Sequence, residues 1–156
     1  MSIDTVRAYL KQYGLDKDIQ EFSTSSATVA LAAEALGCEE NRIAKTLSFM
    51  VANVPVLIVT AGDVKIDNKK YKEQFGVKAK MLSPEEVLQY VGHPVGGVCP
   101  FAVKDGVRIY LDESLRRFDV VYPACGSANS AIRLPLHQLE ECSHSLGWID
   151  VSKPRV

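Results

Sequence analysis

The chain is 156 residues long, 47% hydrophobic and 24% charged, with a formal net charge of −1. These values fit one soluble globular domain with a sizeable core; no apolar run approaches a membrane span, and the near-neutral charge argues against indiscriminate polyanion binding, so neither a membrane nor DNA is an expected partner. Four cysteines (Cys38, Cys99, Cys125, Cys142) form no CxxC pair and three histidines complete no zinc spacing, so neither a metal, a cofactor nor a disulfide framework is expected.

Ile3, Val6, Leu10 and Tyr13 recur at helical spacing, stopped by Gly14. The same segment lacks the charged and apolar regions of a signal peptide, which makes the cytoplasm the expected location. Residues 19–22 read as a short strand. Ser25 and Ser26 offer an N-cap to a helix over 28–36, ended by Gly37. Residues 43–51 read as a buried strand, and 56–59 pair back on it through a turn at Asn53. A polar helix over 68–75 ends at Gly76, with a short strand at 77–79. Ser83-Pro84-Glu85-Glu86 carries two helix-start signals, a capping box and a proline in the first turn, and that helix runs to about residue 91. Residues 107–111, 120–122 and 130–134 read as strands, 115–118 as a turn or short helix, and Asp112 as a helix cap. A last helix spans 136–143, residues 148–151 close the sheet, and the tail after Ser152 is expected to fray. With no internal repeat and no linker, the prediction is a single α+β domain over 1–156: a mixed, strongly curved β-sheet with surrounding helices.

The segment Gly92-His93-Pro94-Val95-Gly96-Gly97-Val98-Cys99-Pro100-Phe101 packs three glycines and two prolines into nine positions, so it continues neither a helix nor a strand. A rigid, tightly turned loop with outward-facing main-chain N–H groups is expected, suited to hold a carbonyl oxygen or a phosphate. Lys45 begins an apolar run, where a lysine either snorkels to solvent or holds its ammonium over a pocket. Cys99 and His93 permit a thiol hydrolase, or Cys99 is a small packed residue. Ser127, Asn129 and Ser130 satisfy their own turn or line a pocket. Six lysines between 65 and 80, Lys65, Lys69 and Lys70 among them, give a local excess of four positive charges: a solvated helix face, or a contact for a few phosphates.

Arg42-Ile43-Ala44-Lys45-Thr46-Leu47, the loop from Gly92 to Pro100 with its GxxxP element at Gly96–Pro100, and Pro123-Ala124-Cys125-Gly126-Ser127-Ala128-Asn129-Ser130-Ala131-Ile132 together resemble the YbaK/EbsC family. These are free-standing editing domains related to the insertion domain of bacterial prolyl-tRNA synthetase. The resemblance covers nearly the whole chain. It implies hydrolysis of the ester that joins a wrong amino acid to tRNA, typically tRNA(Pro), without a metal. It implies substrate positioning by Lys45 and backbone contacts from Gly96, Gly97 and Pro100. It places Phe22, Thr46, His93, Val98, Cys99, Ser127, Asn129 and Ser130 in the substrate-binding set. The lysines at 65, 69 and 70 become candidate acceptor-stem contacts, and prolyl-tRNA synthetase a candidate partner. The cysteine-specific branch carries an aspartate near the position of Ala131 and a tyrosine near that of Phe22. The difference points toward removal of alanine, 2-aminobutyrate, serine or threonine rather than cysteine. A non-catalytic tRNA- or synthetase-binding module of the same fold is the alternative, with a cysteine hydrolase using Cys99 and His93 behind it.

Overall fold

The computed structural model describes residues 2–155. In chain order the elements are α1 (Ser2–Lys11), β1 (Gln20–Glu21), α2 (Val29–Leu36), β2 (Ile43–Val51), β3 (Val54–Ala61), β4 (Val64–Ile66), α3 (Asn68–Phe75), α4 (Pro84–Glu86, continued by a π-turn over Val87–Val91), β5 (Arg108–Asp112), β6 (Val120–Pro123), β7 (Ser130–Ala131), β8 (Leu134–Pro135), α5 (Leu136–Ser143), β9 (Trp148–Ile149) and β10 (Ser152–Pro154). Among the described residues no helix is long and apolar enough to cross a membrane.

Strands β8-β6-β2-β3-β5-β9 form a curled, mixed six-stranded half-barrel. Its centre is the β2–β3 hairpin, paired from Ala44↔Ala61 to Val51↔Val54. Ala52 and Asn53 turn that hairpin with φ of 49° and 66°, the sense that matches strand twist. The run Val56-Leu57-Ile58-Val59 is buried throughout because both faces of the sheet are covered. Val56 and Ile58 pack with Phe49, Tyr71 and Val151; Leu57 packs with Val87 and Val91; Val59 joins Val6 and Leu10 of α1 and Leu139 of α5. Each such side chain contributes about 1.5–3 kcal/mol by leaving water. The mixed sheet and surrounding helices match the fold expected from sequence.

Four local expectations need correction. The N-cap of α2 is Thr28, whose side chain accepts from the Leu31 N–H, rather than Ser25 or Ser26. Residues 77–79 form no strand; only Met81 makes an isolated bridge, to Phe49. The 130–134 run breaks into β7, which pairs with β1, and β8, which pairs with β6. The tail does not fray: β10 pairs with β4, Ser152↔Ile66 to Pro154↔Val64. Asp112 holds that tail in place. It caps the 3₁₀ turn at Glu113–Arg117 through the Ser114 N–H (3.0 Å), as expected, but it also accepts from the Val151 N–H (2.9 Å) and the Ser152 hydroxyl (2.6 Å) while fully buried. Removing such an acceptor leaves three donors unpaired. Asp112→Ala should therefore cost about 2–4 kcal/mol of stability, read as a lower urea midpoint, and Asp112→Asn, which keeps an acceptor oxygen, should cost less.

Candidate functional site

The start of β2, the N-terminal approach to α2, the glycine-rich loop and the loop before β7 converge. The Ser26 N–H donates to Ala128 O (2.7 Å), and the Phe22 N–H to Asn129 O (2.8 Å), with Asn129 Nδ2 returning a bond to Phe22 O (2.9 Å). This stitching brings residues 22–28 against residues 126–131. Gly96, at φ 91°, sits between them: a Cβ there would stand 3.0 Å from the Ala27 Cβ and 3.4 Å from the Ala128 Cβ. A small hollow of about 30 Å³ remains. Lys45, Thr46, Gly96, Val98, Ser130 and Ala131 are among its walls. Lys45, Gly96 and Val98 also border a groove of about 250 Å³ that opens past Met81 and Val95, and Lys45 alone of these borders a cavity of about 400 Å³ on its other side.

The chemistry of the walls is uneven. Lys45 is only part-exposed, and no carboxylate pairs with it among the described residues. Burial, and then the nearby Arg155 cation, hold its pKa below the ordinary lysine value. The Thr46 Oγ1 is buried and meets no hydrogen-bond partner. Ser127 Oγ–H donates to Asn129 Oδ1 (3.0 Å), so in its 2.6 Å contact with Ser130 the Ser130 hydroxyl donates to Ser127. The Ser130 oxygen therefore keeps its lone pairs for a ligand. In the loop, the Gly97 N–H turns back to Pro94 O (3.0 Å), whereas the N–H groups of Gly96 and Val98 meet no acceptor among the described residues.

Several expected site residues lie elsewhere. His93 and Cys99 are fully buried and border none of these spaces. His93 Nε2 donates to Phe101 O (2.7 Å), and its Nδ1 accepts from the Ser2 hydroxyl (2.5 Å), so the imidazole braces the loop; burial lowers its pKa and keeps it neutral. Cys99 Sγ lies 3.6 Å from His93 Nε2, but burial pushes the thiol up to about 12, far from a thiolate nucleophile. The pair thus forms a packed core contact, and the cysteine-hydrolase alternative loses its nucleophile. Gly97 is buried against the Gly126–Ser127 backbone. Pro100 borders a separate groove near Tyr9 and Lys104. Phe22, Ser127 and Asn129 act behind Ser130 rather than on the hollow itself. Of the three lysines, Lys65 borders the 400 Å³ cavity, Lys69 is exposed on the first turn of α3, and Lys70 is engaged by Asp150 (3.0 Å) and Ser152 O (2.9 Å). Sequence reasoning missed Ser26, Ala27 and Met81, whose places depend on long-range packing, and Arg155, which it left in a frayed tail.

The model of the aminoacyl-tRNA editing domain matches residues 24–142. The uncharacterized protein YwhH of Bacillus subtilis is 54% identical over 154 residues, 98% of each chain. The proline–tRNA ligase of Lactiplantibacillus plantarum is 25% identical over 143 residues; these cover 90% of this chain but 25% of the ligase, so the chain spans a quarter of that relative's length. A crystal structure described as a proposed trans-editing enzyme for prolyl tRNA synthetase superposes with a TM-score of 0.87 at 27% identity, covering 97% of both chains. With the family model matching residues 24–142 and the whole fold superposing on such an enzyme, the chain belongs to the aminoacyl-tRNA editing domain family.

Proposed function

We propose that this protein is a trans-editing deacylase that hydrolyses the ester of mischarged tRNA, with tRNA(Pro) bearing a small wrong amino acid as substrate. The observation that carries the reading is the 30 Å³ hollow shared by Lys45, Thr46, Gly96 and Ser130. The hollow is the smallest space at the site and is lined in part by alanines, which suits a methyl or hydroxymethyl group better than the ring of proline. Alanine and serine therefore rank ahead of 2-aminobutyrate and threonine as the residue removed. An aminoacyl ester is already activated, so orientation and stabilisation of the developing oxyanion supply much of the acceleration. Water adds its oxygen to the carbonyl carbon, the bond to the ribose oxygen breaks, and a proton passes to that oxygen. The Gly96 and Val98 N–H groups are the donors proposed for the oxyanion. The unpaired Lys45 ammonium steers the RNA end and repels the substrate's own amino group, which turns toward the Ser130 lone pairs. Aminoacyl-tRNA is the partner in this reading, and prolyl-tRNA synthetase a second one through the relationship to its editing domain.

Incubation with Ala-, Ser-, Thr- and Cys-charged tRNA(Pro) should release alanine and serine fastest; hydrolysis of none of them above the buffer blank would remove the proposed activity. Lys45→Ala should lower kcat/KM by about 10- to 100-fold without unfolding the protein. Because the cation is what acts, the enhancement over the blank should fall as pH rises through the Lys45 pKa, beginning below the ordinary lysine value of 10.5. Thr46→Val removes a buried hydroxyl that lacks a partner, so it should stabilise the fold by about 1 kcal/mol while slowing deacylation; calorimetry and a single-turnover assay on the same preparation measure both.

A further inference from the structure

The cavity of about 400 Å³ beside the hollow is not used by the reading above, apart from its shared wall at Lys45. Its volume is that of a small-molecule site. Leu47, Phe49, Ile66 and Met81 give it an apolar lining, and Lys45, Lys65 and Arg155 give it three cations. No acidic residue lines it among the described residues. Two carboxylates beside the lining residues in sequence, Asp63 and Asp67, are already engaged. Asp63 takes the Arg117 guanidinium at 2.9 and 2.5 Å, and Asp67 caps α3 by accepting from the Lys69 and Lys70 N–H groups at 3.0 and 3.2 Å. Cations gathered on an apolar wall repel one another, and the Lys45 pKa is lowered in part by Arg155; the one carboxylate that feels Arg155 among those described is Asp63, which already holds Arg117.

Arg155 is delivered there by β10. Lys153 pairs with Lys65 and Pro154 with Val64; the Arg155 N–H donates to Asp63 O (3.2 Å) and its Nε to Val64 O (3.4 Å). Its two Nη groups meet no acceptor among the described residues, so the outer fork of the guanidinium is free for a bidentate oxyanion. Asp112 and Lys70 anchor the strand behind it, through the Ser152 hydroxyl and carbonyl. Residue 155 lies beyond the 24–142 stretch that the family model spans.

We propose that this cavity binds the terminal nucleotide of an RNA 3′ end, with Arg155 and Lys65 on its 5′-phosphate and its base against the apolar lining. A phosphate answers the excess positive charge, and a nucleobase answers the apolar wall, which an acidic peptide does not. The shared wall at Lys45 puts the ribose of such a nucleotide next to the hollow, where an ester on it would be cleaved. The choice of RNA rests on the deacylase reading; the binding itself needs no turnover.

Titration calorimetry with adenosine, AMP and the trinucleotide CpCpA tests this on wild type, Arg155→Ala, Lys65→Ala and Lys153→Ala. AMP should bind about tenfold more tightly than adenosine, as one charge-assisted phosphate clamp warrants, and CpCpA at least as tightly as AMP. Arg155→Ala and Lys65→Ala should each reduce that preference and leave adenosine affinity unchanged. Lys153→Ala, on the same strand but not bordering the cavity, should change neither. Equal binding of AMP and adenosine, no binding of any probe, a phosphate preference that survives Arg155→Ala, or an equal loss in Lys153→Ala would overturn the proposal. AMP binding without CpCpA binding would overturn it in favour of a free mononucleotide site. Phosphate-dependent binding with no hydrolysis of any charged tRNA would instead sink the deacylase reading and leave this site standing.

Discussion

No side chain fits at position 97. A Cβ there would stand 2.4 Å from the Ser127 nitrogen and 2.6 Å from the Gly126 carbonyl carbon. Two loops separated by about thirty residues of sequence therefore meet backbone against backbone. This contact fixes the height of Gly96 over β2, and with it the roof of the hollow. His93 strengthens the arrangement from below by tying the loop to Phe101 and to Ser2 of α1. The lining of the hollow includes short side chains such as Ala44, Ala124 and Ala131, which have no rotamers with which to yield, beside the larger Val29, Ile43 and Tyr122.

The cost of the site is visible in its polar groups. Thr46 keeps a buried hydroxyl without a partner, and Lys45 keeps a part-buried ammonium without a carboxylate. Either would be replaced by an apolar or paired residue if stability alone were selected. Stability is recovered at a distance, in the doubly covered sheet and in the three bonds to Asp112. The same Asp112 network tethers β10, so the core's best-satisfied polar group also positions Arg155 beside Lys45.

Much of the fold was legible because its signals are local. The capping box at Ser83–Glu86 forms as read, α5 spans the residues expected, and the apolar run of β2 and β3 becomes the sheet centre. What escaped depends on long-range pairing. Residues 152–154 carry a proline and two polar residues, and they hold a strand only because β4 and Asp112 are there to receive them. Residues 77–79 have strand-like composition but lack a neighbour to pair with. Lys45, Thr46, Gly96 and Ser130, singled out from their motifs, border one hollow in the structure. His93 and Cys99 lie in the same motif, yet burial assigns them to packing. Loop composition carries no information about which face of a loop turns inward, and that face separated Val98, on the hollow, from Cys99, beneath it.

Size and charge act on different parts of a substrate, and their separation explains the layout. One methylene in an apolar pocket discriminates by only about 1–3 kcal/mol, so a cavity that merely preferred alanine would still admit proline. In the proposed function the small hollow works by exclusion instead, which would make the penalty for the larger side chain steric. Exclusion gives no affinity, however, and a methyl group offers little surface for binding. In the proposed arrangement affinity comes from the nucleotide end, where Arg155 and Lys65 hold a phosphate common to every charged tRNA. Binding energy gained on that invariant group drives the ester against the hollow, and only a side chain small enough to enter lets the carbonyl reach Gly96 and Val98. The division assigns recognition of the RNA to the cationic cavity, recognition of the amino acid to the hollow, and leaves Lys45 at the wall between them.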